Sequence, residues 1–174
     1  MAQQKTWIVD QAHSELQFKV RHMVISTVTG SFENFTARVE SENDNFDQAR
    51  VTLEADVASI NTNNIDRDNH LKSNDFFGAD THPKLTFVGV LHSGTSYRLV
   101  GDLTIKGVTK ALELAVDFNG AAKDPWGNLK AGFEVTGKLN RNDFGLTWNA
   151  VIETGGVLVS EEVKLIANIQ LQQG

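Results

Sequence analysis

Apolar and polar residues alternate with a period of two in segment after segment of this chain, which is the pattern of a strand with one buried and one wet face. From Glu15 to His22, Leu16, Phe18 and Val20 share one face and His22 ends the row, while Glu15, Gln17, Lys19 and Arg21 take the other. The same register recurs at Phe35, Ala37, Val39 and, after a polar turn over 41–47, at Val51, Leu53, Ala55, Val57. Further rows begin at Leu85 and Phe87, run from Tyr97 through Leu99, Gly101, Leu103 to Ile105, and from Leu112 to Phe118. Two more, Leu129 to Leu139 and Val163 to Leu171, bring the set to about eight strands. Their separations are too short for the crossovers that parallel strands need, so the sheet is expected to be antiparallel.

Two stretches break the alternation. Over 63–77, an Asn able to cap a helix is followed by Asp66 and Asp68, which suit a helix N-terminus. A short helix is expected there, held down by Ile65, Leu71 and the Phe76-Phe77 pair and ended by Gly78. Residues 140–156, with Asp143-Phe144-Gly145, Trp148 and Gly155-Gly156, read as a long loop.

A sheet with one apolar face must cover it, and with one short helix on offer the economical solutions are two packed sheets or one sheet closed on itself. Closure also removes the edges. An eight-stranded barrel is either just filled by its own side chains or just wide enough for one small ligand. The inward small residues Gly101, Gly137, Ala37, Ala55, Ala131 and Ala167 suit a cavity, and suit equally the small-large alternation of a filled barrel.

At 174 residues and 40% hydrophobic, the chain fits one domain over 1–174. It has no cysteine, which removes disulfides, thiolate metal sites and cysteine nucleophiles. A net charge of -6 with scattered Lys and Arg argues against nucleic acid as partner. No apolar run is long enough to cross a bilayer as a helix, and no signal peptide is legible at 1–6, which places the chain as written in the cytoplasm, or in the periplasm if a leader has been removed. The five histidines show no helical pairing and no metal is expected.

Several blocks together, in order and spacing, resemble the YceI-like family of polyisoprenoid-binding, lipocalin-like proteins. They are Trp7-Ile8-Val9-Asp10 with His13-Ser14, Gly30-Ser31-Phe32, and Ser59-Ile60-Asn61-Thr62 leading into Arg67-Asp68-Asn69-His70-Leu71. Gly101-Asp102-Leu103-Thr104-Ile105-Lys106-Gly107-Val108-Thr109, Arg141-Asn142-Asp143-Phe144-Gly145 and Val159-Ser160-Glu161-Glu162-Val163 complete them. The resemblance covers essentially the whole chain.

It implies an all-β, antiparallel, eight-stranded lipocalin-like barrel whose interior holds a long-chain lipid: a polyprenyl lipid, an isoprenoid quinone or a fatty-acid derivative. It also implies a homodimer, no catalysis and no cofactor beyond that lipid. The aromatic and apolar residues of the inward registers then become candidate tunnel lining. Phe18, Val20, His22, Phe35 and Leu53 are the candidates from the first half, and Phe87, Leu99, Leu103, Phe133 and Trp148 from the second, with Trp148 covering one end from its loop.

Asp66-Arg67-Asp68 with His70 is read as scaffold before acid-base machinery, a balance that contact with the cavity would shift. Arg141 and Asp143 are read as a loop ion pair, with head-group contact the sharper alternative. The rival functions are an enzyme acting on such a lipid through His13 or His22 at the barrel mouth, and an interaction protein with a filled barrel.

Overall fold

The computed structural model describes residues 4–22, 25–147 and 159–174. One antiparallel sheet carries strands β1 (Lys5–Val9), β2 (Glu15–His22), β3 (Ser26–Phe32), β4 (Phe35–Ser41), β5 (Ala49–Asp56) and β6 (Ile60–Asn61). It continues, after helix α1 (Ile65–Lys72), with β7 (Lys84–His92), β8 (Tyr97–Ile105), β9 (Val108–Lys123), β10 (Leu129–Asn140) and β11 (Val159–Gln173). Pairing of β1 with both β4 and β11 closes the sheet into an eight-stranded barrel.

Eleven segments make eight barrel strands because three strands are broken at one level. β1 and β2 run in line along β11, against residues 171–173 and 159–168 respectively. β3 continues into β4 past Glu33 and Asn34, and β5 into β6 past a 3-10 turn at Val57–Ser59. Broken ladders leave backbone groups that must find other partners. Here the breaks satisfy one another: Asn34 N–H donates to Ser59 Oγ (3.1 Å), Asp56 N–H to Asn34 O (2.9 Å), and the Gln11 side-chain amide to Phe35 O. Asp10 caps the 3-10 turn Gln11–His13 between β1 and β2, accepting from Ala12 N–H (3.2 Å).

Above these breaks β6 pairs with β3 and β7 pairs with β5 and β8, with no ladder between β6 and β7 among the described residues. The segment from α1 to Phe77 lies across this end of the barrel. Lys106, in the β8–β9 turn, donates from Nζ to Asn74 O (2.8 Å), and the Arg141 guanidinium lies 5.9 Å from the Phe76 ring centre.

Each alternating row in the sequence belongs to a different one of the eight strands, so the fold class stands as expected. The helix is shorter than 63–77. Asn64 Oδ1 accepts from Arg67 N–H (3.0 Å) at its start, and after Lys72 the chain turns away through Gly78 at φ +60°. Ile65 is 79% exposed and does not pin it; Leu71, Phe76 and Phe77 pack against the core instead. The late loop begins with a 3-10 turn, Arg141–Phe144, closed by Gly145 at φ +77°.

Candidate functional site

The inward side chains do not fill the barrel. They enclose an elongated cavity of about 670 Å³, within the range of small-molecule sites. On β8 it reaches from Leu99 to Ile105, about 20 Å of strand at ~3.3 Å per residue. On β11 it reaches from Val159 to Leu171.

One end is stopped by aromatic rings. Phe46, 1% exposed, packs on Trp7 (5.0 Å between centroids), Phe118 (5.4 Å) and Phe133 (5.1 Å), while Phe118 stacks on Phe133 at 4.9 Å. Of these rings only Phe133 lines the cavity, so the others form a floor behind it. The opposite end reaches solvent at the exposed residues Asn64 and Asp66 beside α1. All the ionisable lining residues, namely His22, Asp66, Arg67, His70 and Arg141, lie towards that end.

These groups are held by one another. Buried Thr62 is the centre of one set: its N–H (2.8 Å) and hydroxyl (2.6 Å) both donate to Asp68 Oδ1, while its Oγ1 and carbonyl accept from Arg67 Nε (2.7 Å) and Nη2 (2.6 Å). His70 Nε2 lies 3.0 Å from Asp75 Oδ2. Arg141, 3% exposed, donates to the carbonyls of Ser160 (2.8 Å), Leu146 (2.5 Å) and Val159 (3.2 Å). Burial pulls its pKa below the usual arginine value, partly offset by Glu161.

Of the ten candidate lining residues, Phe18, Val20, His22, Leu53, Phe87, Leu99, Leu103 and Phe133 line the cavity. Phe35 does not. It shares the register of Ala37 and Val39, which do, but sits at the strand break, buried in the core outside the wall. Trp148 lies outside the described residues. His13 stands at the β1–β2 break, 3.0 Å from Asp10 Oδ2, and is not on the cavity wall. The expected Arg141–Asp143 loop pair gives way to the carbonyl contacts of Arg141, with Asp143 exposed. Leu16, Val163 and Leu165 also line the cavity and lay in rows already legible, whereas Val28 sits in a strand with too few apolar residues to signal itself. Among the described residues no cluster of three or more His, Cys, Asp or Glu is placed to hold a metal. No helix among them is long and apolar enough to cross a membrane.

Small inward residues work in two ways. Ala37 and Ala167 lie on the cavity wall, but Gly30 and Gly137 yield their space to neighbours: a Cβ there would come within 2.3 Å of the Phe18 ring and 2.1 Å of Leu114 Cδ2. These glycines seat larger side chains.

The architecture is thus a lipocalin-like closed antiparallel barrel around an elongated apolar cavity, open at a polar end. The chain belongs to the YceI-like family: the model of the YceI-like domain matches residues 7–171. It is 44% identical over 162 residues to a UPF0312 protein of Staphylococcus aureus (strain MSSA476), covering 92% of this chain and 94% of that one. Its fold is similar to that of a Campylobacter jejuni YCEI protein (TM-score 0.74, 30% identity, 90% and 91% of the two chains). It is similar also to a polyisoprenoid-binding domain from Saccharophagus degradans (TM-score 0.72, 14% identity, 97% and 98%), a likeness of fold alone.

Proposed function

We propose that this protein binds a long-chain apolar lipid, a polyisoprenoid, isoprenoid quinone or fatty-acid derivative, and stores or carries it without chemical change. The observation that carries the reading is the cavity: long, walled by aliphatic and aromatic side chains, and polar only towards its solvent end. Transfer of a tail from water supplies about 0.8 kcal/mol per buried CH₂, so ten carbons give on the order of 8 kcal/mol before the costs of association. The ligand named for the Saccharophagus degradans domain is of the same class. Asp66, Arg67 and His70 do face the cavity, which keeps the acid-base alternative alive, and in the non-catalytic proposal their role is to hold the rim, with Arg67 and Asp68 bonded through Thr62 and His70 against Asp75.

Organic extracts of protein purified from cells, examined by mass spectrometry, are expected to contain a stoichiometric lipid. An empty extract together with no uptake of added isoprenoid would defeat the proposal. Phe133→Trp separates a ligand cavity from mere packing, because a bulkier ring at the cavity's deep end should weaken lipid uptake more than stability in urea. Pairing with a second copy, which the family resemblance implies, is part of the same proposal. Light scattering at micromolar concentration that finds only monomer removes it.

A further inference from the structure

Three large apolar side chains stand out into water further than any others among the described residues: Ile25 (84% exposed), Trp126 (83%) and Ile65 (79%). Single exposed apolar residues are ordinary, so position decides whether they mean anything. Trp126 is in the β9–β10 turn, beyond the aromatic floor, with its N–H donating to Asp124 Oδ1 (2.9 Å). The two isoleucines stand at the other end. Ile25 lies in the β2–β3 turn just past the lining residue His22, which pairs with Val159, also on the wall. Ile65 opens α1 between Asn64 and Asp66, where the cavity meets solvent. Neither isoleucine lines the cavity or belongs to the core.

A lipid tail that enters this cavity has first to leave a bilayer. Through open water, each exposed CH₂ slows that departure by about four-fold, which comes to roughly a million-fold for ten carbons. An open end seated in the bilayer surface removes the stretch of water, because the tail passes from acyl chains directly to Leu71, Phe77 and the wall behind them. Apolar side chains that reach the boundary between head groups and acyl chains hold a protein in that position. The exposed Asn63, Asn64 and Asp66 beside Ile65 suit the polar layer above that boundary. On a chain of net charge -6, attachment by insertion fits an uncharged surface, since an anionic one attracts basic segments and repels carboxylates.

We infer that the open end of the barrel docks on a neutral lipid bilayer through Ile25 and Ile65 and takes up its lipid there by contact, without releasing the tail into water. The inference rests on the lipid-binding reading above and adds the surface from which the ligand comes. The test uses the full chain stripped of lipid, phosphatidylcholine vesicles loaded with tritiated geranylgeraniol, and the same alcohol delivered from ethanol as a vesicle-free source.

At fixed vesicle concentration, the rate of pick-up by the parent is expected to rise in proportion to protein concentration. Ile25→Ser combined with Ile65→Ser should slow pick-up from vesicles at least ten-fold, the factor that burying one such side chain is worth at about 1.4 kcal/mol, and leave uptake from ethanol as in the parent. Trp126→Ser, of equal exposure at the far end, should match the parent with both sources. A rate set by release from the vesicle alone, a double variant as fast as the parent, or a Trp126→Ser protein as slow as the double variant would overturn the inference and leave lipid binding standing. A double variant slowed equally with ethanol would place the isoleucines in binding itself, and one that loses self-association but keeps its pick-up rate would assign them to a second copy; either overturns docking. No uptake from either source would overturn both readings.

Discussion

The two ends of the cavity are built from different physics. At the floor, Trp7, Phe46, Phe118 and Phe133 come from β1, the β4–β5 turn, β9 and β10, and they are held by contact alone, ring on ring. Phe46 accepts a backbone φ of +62°, unfavourable for a bulky residue, in a position where its ring is buried at the centre of that cluster. At the open end ring contacts such as Phe32 with Phe77 (5.9 Å) are joined by directional bonds: Thr62, Arg67 and Asp68 form a hydrogen-bonded set, and Arg141 grips three carbonyls. Non-directional packing suits a stop whose task is to exclude water. Directional bonds suit a rim that must keep its shape beside solvent while leaving an opening.

If that contrast is right, the largest stability effect belongs to the floor. Phe46→Ala removes the central ring and should cost about 3–5 kcal/mol in urea unfolding, with m little changed. At the rim, Thr62→Val keeps the shape and removes the hydroxyl between Arg67 and Asp68. The expected loss is about 1–3 kcal/mol, and a loss equal to that of Phe46→Ala would erase the distinction between the ends.

Away from both, at the β1–β2 break and off the cavity wall, Asp10 has its pKa lowered chiefly by the hydrogen bond from Lys130 (2.7 Å) and next by that from His13, with burial opposing. Its charged form is therefore favoured by folding. The stabilisation is present above the ordinary carboxylate value of about 4 and is lost as pH falls through the lowered folded value. Asp10→Asn should cost about 1 kcal/mol at neutral pH, and the gap between variant and parent should close in acid. Smallest of all, Ile65→Ser at the exposed start of α1 should change stability by less than about 0.5 kcal/mol; a larger loss would show that Ile65 contributes to the rim after all.

Strand identity was legible because alternation with one wet face is a strong signal, and Phe18, Leu99, Leu103 and Phe133 follow it onto the cavity wall. β3 was not legible: only Val28 and Phe32 among its seven residues are large and apolar, because Gly30 makes way for the Phe18 ring. Nor did register settle whether the barrel was filled. That depends on which inward side chains meet across the interior, as Leu114 meets Gly137, and such meetings join positions far apart in sequence. Phe35 shows the same limit from the other side: it lies between the lining residues Phe32 and Ala37, at the break between β3 and β4, and alternation read along the sequence does not reveal such a break. The Asp66–His70 cluster stood out in sequence, but the role of Thr62 as the atom-level link between its charges needed the chain to be folded.

The closing contact of the barrel has a consequence in time. Ser14 Oγ accepts from Gln170 N–H (2.9 Å) across 156 positions, and β11 is the strand that carries both β1 and β2. Until β11 docks, the sheet is an open ribbon with an apolar face and two unpaired edges, the arrangement most prone to wrong partners. Contacts of such long range are also the slowest to form. The moment of greatest hazard is thus the interval before the last ladder zips, and agents that bind edges or exposed apolar faces should act on this protein during refolding far more than on the finished barrel.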